Sequence, residues 1–492
     1  MTATQVMPGA PPDPFTFDNT YAEQLSGFGA PWEPTEVATP TLVTVNTDLA
    51  TSLGLDPEAL SEAHAVRIFA GAASPEHAAP IAQVYAGHQF GNFSPQLGDG
   101  RAVLLGEIVD PAGRRVDIAL KGSGRTPFSR GGDGKATLGP VLREYLMGEA
   151  MHALGVPTTR ALAVVTTGEL VRRDGLLPGA VLTRVAASHL RVGTFQFFSA
   201  RSDIDRLRRL VDYAIERHDP AAAAADNPTV ALLDGVVRRQ AALIAQWMNL
   251  GFIHGVLNTD NVTVSGETID YGPCSFMDHY DPTTVYSSID HGGRYAYGNQ
   301  PTIGLWNMAR LAEALLPVID DEQERAVELA TAALDRYQGE FDAAWLAGMR
   351  AKLGLDGTHD DDRALATDWY ALLATDRVDM TTAFRRLADA ADGDSAALTD
   401  LFDGDVDEWL ERWNQRVAPD AGRGMGAVNP MYIPRNHLVE HALDSAVQGD
   451  LSPFDELLDA VTHPYEMRPG SERFAAPAPD GFSAGYQTFC GT

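Results

Sequence analysis

Between Gly251 and Gly272 the chain reads GFIHGVLNTDNVTVSGETIDYG, and His254, Asp260, Asn261 and Asp270 carry groups able to hold a cation or move a proton. Residues 262–264 and 267–269 alternate as strands should, and Ser265-Gly266 is a good two-residue turn, so a short hairpin is expected. Such a hairpin returns its ends to one place. Asn261 before it and Asp270 after it would then present hard oxygen ligands together. A site of that kind suits Mg²⁺, which takes one or two carboxylates plus substrate phosphates. The same residues also suit a plain polar turn, because Asp and Asn are ordinary turn formers.

A second stretch adds phosphate chemistry. Gly98-Asp-Gly-Arg101 precedes the apolar run 102–106, and residues 115–121 alternate and end on Lys121. A glycine turn, a strand, a turn and a strand carrying lysine is the layout of a kinase-like nucleotide lobe. Residues 122–134 are too rich in glycine and polar groups to be anything but loop, and successive glycines let backbone N–H groups approach phosphate oxygens. The chain has three lysines, Lys121, Lys135 and Lys352, and arginine supplies the rest of its positive charge. A lysine retained at the end of an apolar strand points to a task guanidinium does not perform, such as sitting as a compact charge among phosphates. A solvent-facing strand end is the bland alternative.

The elements that must position these groups follow. Pro140 and Gly155 bound a helix of apolar residues at helical spacing, carrying Glu144 and Glu149. Either could pair with Lys121 as the glutamate of a kinase helix pairs with its strand lysine, and spacing does not choose between them. Residues 205–218, 229–250 and 302–316 read as helices, the last ended by Pro317, and 320–459 is helical with acidic turns. His437 and His441 stand at helical spacing, with no third metal ligand nearby in sequence.

The segments YAGHQFGNFSPQLGDGRA (85–102), ALKGSGRTPFSRGGDGKATLGPVLREYLMGEAMHALGVPTTRALA (119–163), LTRVAASHLRVGTFQFF (182–198), HGVLNTDNVTVSGETIDYGPCSFMD (254–278) and NPMYIPRNHLVEHAL (429–443) resemble the selenoprotein O family of kinase-fold protein adenylyltransferases. The resemblance implies AMP transfer from ATP to Ser, Thr or Tyr hydroxyls of protein substrates, with Mg²⁺ or Mn²⁺ as cofactor. It implies that Lys121 contacts the nucleotide phosphates and pairs with Glu144. Gly98, Gly100, Arg101, Asp133 and Gly134 would line the nucleotide site, and Arg184 and Arg191 would reach the phosphates of an ATP held in reverse. Asn261 and Asp270 would hold the metal, with Asp270 also at the nucleotide, and Asp260 would be the general base.

One departure from ordinary kinases is visible directly. Their catalytic loop places Asp two residues after His and Asn five residues later. Here Val256 stands at the Asp position while Asn261 keeps its own, and Asp260 is the nearest carboxylate that could replace the missing base. Transfer of the γ-phosphoryl by an atypical kinase, or nucleotide binding without catalysis, are the alternatives that remain.

The resemblance bears also on the two cysteines, Cys274 and Cys490. The N-terminal residues show no signal peptide, so a cytoplasmic protein is expected, where lasting structural disulfides are rare. The family nevertheless implies a reversible redox pair between a tail cysteine and one beside the metal Asp.

Composition bounds the rest. The 492 residues are 45% hydrophobic, enough for two or three domains, and no apolar run long enough to span a membrane occurs. A net charge of −30 argues against a nucleic-acid partner. The expected fold class is α+β, an atypical protein-kinase-like bilobal fold acting as a monomer. Residues 1–75 would wrap the core, 76–200 form the nucleotide lobe, 201–319 the catalytic lobe, 320–462 a helical region and 463–492 an irregular tail.

Overall fold

The computed structural model describes residues 13–479, 481–483 and 485–489. The chain divides into two compact units. One takes the residues up to Gln83 with Gly98–Val141 and Ala161–Ala187; the other takes Val84–Leu97, Leu142–Arg160 and everything from Ser188 onward.

The first unit is built on a sheet whose strands run in the order Gly29–Pro31, Ile81–Gln83, Ala102–Val109, Arg115–Lys121, Leu176–Ala186, Arg160–Arg172 and Thr41–Val45, with Ala136–Thr137 paired to Leu176–Ala186. Arg115–Lys121 is antiparallel to both neighbours. Ile118 and Leu120 enter a core with Leu105, Val165 and Val181 and with Leu49, Ile68 and Phe69 from two short helices. Strand side chains alternate between faces, so Ala119 and Lys121 project from the opposite side. This strand matches the expected bounds, its two-residue alternation being the signature of a strand.

The second unit is largely helical. Pro228–Leu250 forms as expected: Asn227 Oδ1 accepts from Val230 N at 3.1 Å, Pro228 fits the first turn, and Gly251 ends the helix at φ 74°. The helix packs against Gln300–Ile319 and Arg336–Leu353. The helix expected over 302–316 is longer than Pro317 suggested and includes it. Pro317 lies in the last turn, and the terminal carbonyls of Val318 and Ile319 accept from Thr229 Oγ1 and Asn227 Nδ2. Beyond it, Trp369, Trp409, Trp413 and Phe384 centre a core of the C-terminal helices. No helix among the described residues is long and apolar enough to cross a membrane.

The hairpin expected at 262–269 does not form as a ladder. Its backbone is engaged elsewhere: Thr263 bridges to Arg191 and Thr268 to Thr158. Thr159 N donates to Thr268 O at 3.0 Å and Val192 N to Val262 O at 2.9 Å. The turn is closed instead by Thr263 Oγ1, which donates to Glu267 O at 2.7 Å and accepts from Glu267 N at 3.0 Å.

Candidate active site

In the 251–272 stretch the histidine is held inside the fold. His254 is buried, its Nε2 meets Ile269 O at 2.9 Å, and burial lowers its pKa. Val256 is buried as well, so the position where a kinase keeps its base holds an apolar side chain. The next residues form a 3₁₀ turn, Thr259–Asn261. Asn261 Nδ2 donates to Val256 O at 3.0 Å, which leaves Oδ1 as the end of the amide able to face a cation.

Asp260 is 7% exposed. Its Oδ2 accepts from Gln89 Nε2 at 3.1 Å, while the buried Oδ1 has no hydrogen-bond partner among the described residues. Burial, opposed by hydrogen bonds and by Arg191, pushes its pKa up to about 6. At neutral pH it is therefore mainly a carboxylate with one unsatisfied oxygen.

A two-stranded hairpin, Gly87–Gln89 with Asn92–Ser94, clamps this turn. His88 N donates to Thr259 Oγ1 at 2.7 Å and Phe90 N to Asn258 Oδ1 at 3.0 Å. Gly87 packs so closely that a Cβ there would lie 2.5 Å from Asp260 Oδ1. Any larger residue would collide with the carboxylate.

Asp270 adopts φ 64°, an uncommon conformation for a residue with a side chain, and its carboxylate is about a quarter exposed. Arg191, buried, sets Nη2 3.8 Å from Asp270 Oδ2, and its Cζ lies 4.7 Å from the centre of the Tyr85 ring. Asn261 and Asp270 thus offer hard oxygen donors carrying a single negative charge. Among the described residues no group of three or more His, Cys, Asp or Glu is placed to hold a metal. A cation on this pair would need further oxygens, such as nucleotide phosphates would supply, and on those terms the donor set fits Mg²⁺ or Mn²⁺.

In the first unit, Lys121 lies opposite Ala102 and Leu182, and Arg184 lies opposite Ala119. Residues 119 and 121 share a face, so Lys121 and Arg184 project from the same side of adjacent strands. Gly98, at φ 136°, permits contact with Phe128 and Gln83 that a Cβ would block. Thr126 Oγ1 donates to Asp99 O at 2.6 Å and Ser129 Oγ to Gly100 O, which staples the Gly98–Arg101 turn to the glycine loop. The loop closes where Gly124 N donates to Gly134 O at 3.1 Å, an approach that a Cβ on Gly134 would forbid. Asp133 is paired with Arg173 at 2.9 Å, which more than any other group holds its pKa below the usual carboxylate range.

Glu144 and Glu149 are both buried on the helix Leu138–Ala153. Arg160 takes both oxygens of Glu149, at 2.8 and 2.5 Å. Glu149 is therefore engaged by an arginine. Cys274 is buried at the end of the Asp270 segment; Cys490 lies outside the described residues.

Sequence reasoning missed Tyr85, His88 and Gln89. The segment YAGHQFGNFS carried part of the family resemblance but no role for these residues, and the turn that His88 and Gln89 meet lies about 170 residues away in the chain.

A family model described as "Protein adenylyltransferase SelO" matches residues 14–462. Among curated relatives, the protein nucleotidyltransferase YdiU of Cereibacter sphaeroides (strain ATCC 17029 / ATH 2.4.9) is 60% identical over 481 residues, 97% of this chain and 100% of the relative. Proteins of the same name from Methylorubrum extorquens (strain PA1) and Rhodopseudomonas palustris (strain HaA2) are 56% and 55% identical, each across 97% of this chain and 99% of its own length.

Proposed function

The chain belongs to the SelO family of protein adenylyltransferases, and from that premise we propose how its residues move AMP from ATP to a protein hydroxyl. The protein is an enzyme, a protein nucleotidyltransferase. The acceptor is a Ser, Thr or Tyr side chain. Its oxygen attacks the α-phosphorus, the bond from that phosphorus to the bridging oxygen breaks, pyrophosphate leaves, and the hydroxyl proton passes to Asp260. The observation that carries this reading is the placement of Asp260. Its carboxylate has one unsatisfied buried oxygen beside Asn261, while the kinase base position holds Val256.

The other roles follow from charge. Asn261 and Asp270 hold Mg²⁺ or Mn²⁺, which when bound neutralises phosphate charge. Lys121 and Arg184, on one face of adjacent strands, are the cations assigned to the phosphates, and the family resemblance assigns Glu144 to Lys121. Arg191, beside Asp270, is the third cation assigned to the phosphates. Preorganised cations of this kind stabilise charge developing on the α-phosphoryl oxygens and the departing pyrophosphate. Gly98, Gly100, Arg101, Asp133 and Gly134 shape the nucleotide loop, in a kinase-like arrangement with ATP reversed. The tail cysteine Cys490 and Cys274 form a reversible redox pair.

Incubation with α-³²P-ATP and γ-³²P-ATP in parallel tests the reading. Label from the α-position alone should reach protein; label from the γ-position would mean a kinase.

A further inference from the structure

We infer that Arg143 is a positioning residue for the Asp270 segment, acting through the carbonyl of Cys274 and held in place by Glu440 and the tail residue Tyr486. The inference rests on the reading that Asp270 holds the metal.

Arg143 precedes Glu144 on the helix Leu138–Ala153 and is 7% exposed. A guanidinium so buried is costly unless its donors are met. Here Nη1 donates to Cys274 O at 3.3 Å, and Nη2 donates to Tyr486 Oη at 3.2 Å and pairs with Glu440. Tyr486 Oη in turn donates to Glu440 Oε1 at 2.7 Å. The Tyr486 ring is fixed by stacking on Phe482, centroids 5.1 Å apart, and by an edge contact with Tyr286 at 5.7 Å.

The consequence lies at Asp270, which is strung between tethered points. On its upstream side Ile269 O meets His254 Nε2 at 2.9 Å. Downstream, Pro273 O accepts from Thr488 Oγ1 at 2.7 Å and Cys274 O from Arg143. Two successive carbonyls within four residues of Asp270 are thus held from outside the segment, one by the tail and one by a helix. A metal carboxylate works only when its position is held to a fraction of an ångström, and contacts behind the ligand supply that restraint. Arg143 carries the restraint from three elements, the 138–153 helix, the helix Asn436–Val447 and the tail, onto one backbone oxygen.

The test is a Mg²⁺ titration of α,β-methylene-ATP binding to the full chain, read by calorimetry, with thermal melting run alongside. Arg143→Met should raise the half-saturating Mg²⁺ about tenfold, the low end of what contacts behind a metal ligand are worth. Tyr486→Phe keeps the packed ring and removes the hydroxyl, so it should shift the same quantity in the same direction by less. Arg160→Met breaks the pair to Glu149 on the same helix; it should lower the melting temperature and leave the Mg²⁺ dependence unchanged. Wild-type Mg²⁺ dependence in both Arg143→Met and Tyr486→Phe would overturn the inference, as would an equal shift in Arg160→Met. Nucleotide binding by the wild type that ignores Mg²⁺ would overturn the metal reading itself, and this inference with it.

Discussion

Arg191 and Asp270 face each other across 3.8 Å, Nη2 to Oδ2, with the guanidinium over the Tyr85 ring. That is an ion pair, but longer than a hydrogen bond. Arginine's planar fork and its stacking on tyrosine are both lost in lysine. Arg191→Lys should therefore lower the rate of AMP transfer about a hundredfold, the usual scale for one preorganised charge. Initial rates with α-³²P-ATP decide it; a near-wild-type rate would remove Arg191 from the phosphate site.

Asp270→Ala should abolish transfer and Asn261→Ala should weaken it strongly, because each removes a metal donor. Asp260→Asn should lower kcat by about two to four orders of magnitude, the range for a lost general base, while ATP still binds. Labelled-protein yield and nucleotide binding, measured on the same preparations, separate the two outcomes. Persistent labelling by Asp270→Ala with Mg²⁺ present would show that the site is assigned wrongly.

What the sequence disclosed depended on range. The 115–121 strand and the 229–250 helix were legible because their signals are local: two-residue alternation in one, and a long apolar run in the other, which in the structure starts at Pro228. The 262–269 hairpin failed because its backbone pairs with Arg191 and Thr158, contacts that no local pattern announces. Asp260 was found as the carboxylate nearest Asn261, but its unsatisfied oxygen and its clamp from Gln89 are tertiary facts. Spacing alone did not choose between Glu144 and Glu149, and only the family resemblance named Glu144.

Lys121→Arg should be nearly as damaging as Lys121→Ala. Lys121 ends a strand whose neighbour already presents Arg184 on the same face. A second bulky planar cation there would not reproduce a compact ammonium among phosphates. Full AMP transfer by Lys121→Arg would reduce Lys121 to a generic positive charge.

Lys352 gives a pH-dependent stability effect away from the site. It is buried, with Nζ 4.0 Å from the centre of the Phe384 ring, and burial pushes its pKa down to about 7. In the unfolded chain a lysine titrates near 10.4. Between those values the unfolded state holds the extra proton, so this residue makes stability rise with pH; below about 7 its full penalty applies. Lys352→Met should raise the free energy of unfolding in denaturant clearly at pH near 6. The gain should be a few kcal/mol, since a tenfold change in proton affinity is worth about 1.4 kcal/mol, and it should vanish by a pH of about 10.5. An equal gain at both values would assign the effect to packing rather than charge.

The tail gives the redox prediction. Thr488 Oγ1 donates to Pro273 O, Thr488 N donates to Tyr286 O at 2.8 Å, and Ser288 N donates to Thr488 O at 3.0 Å, so the chain just before Cys490 is laid against the segment that contains Cys274. Oxidation of the two thiols to a disulfide releases two protons and passes two electrons to an added oxidant such as diamide. The bond would tie the tail to the Asp270 segment and should lower AMP transfer. Reduction should restore it. Cys490→Ser should show the reduced rate under both conditions and no change in mobility on a non-reducing gel. The hydrogen bonds that lay the tail down involve no thiol, so Cys490→Ser should also keep the wild-type Mg²⁺ dependence. A chain truncated after Pro479 loses Tyr486 and Thr488 as well and should not. Equal activity of oxidised protein, reduced protein and Cys490→Ser would leave the tail with only its positioning role.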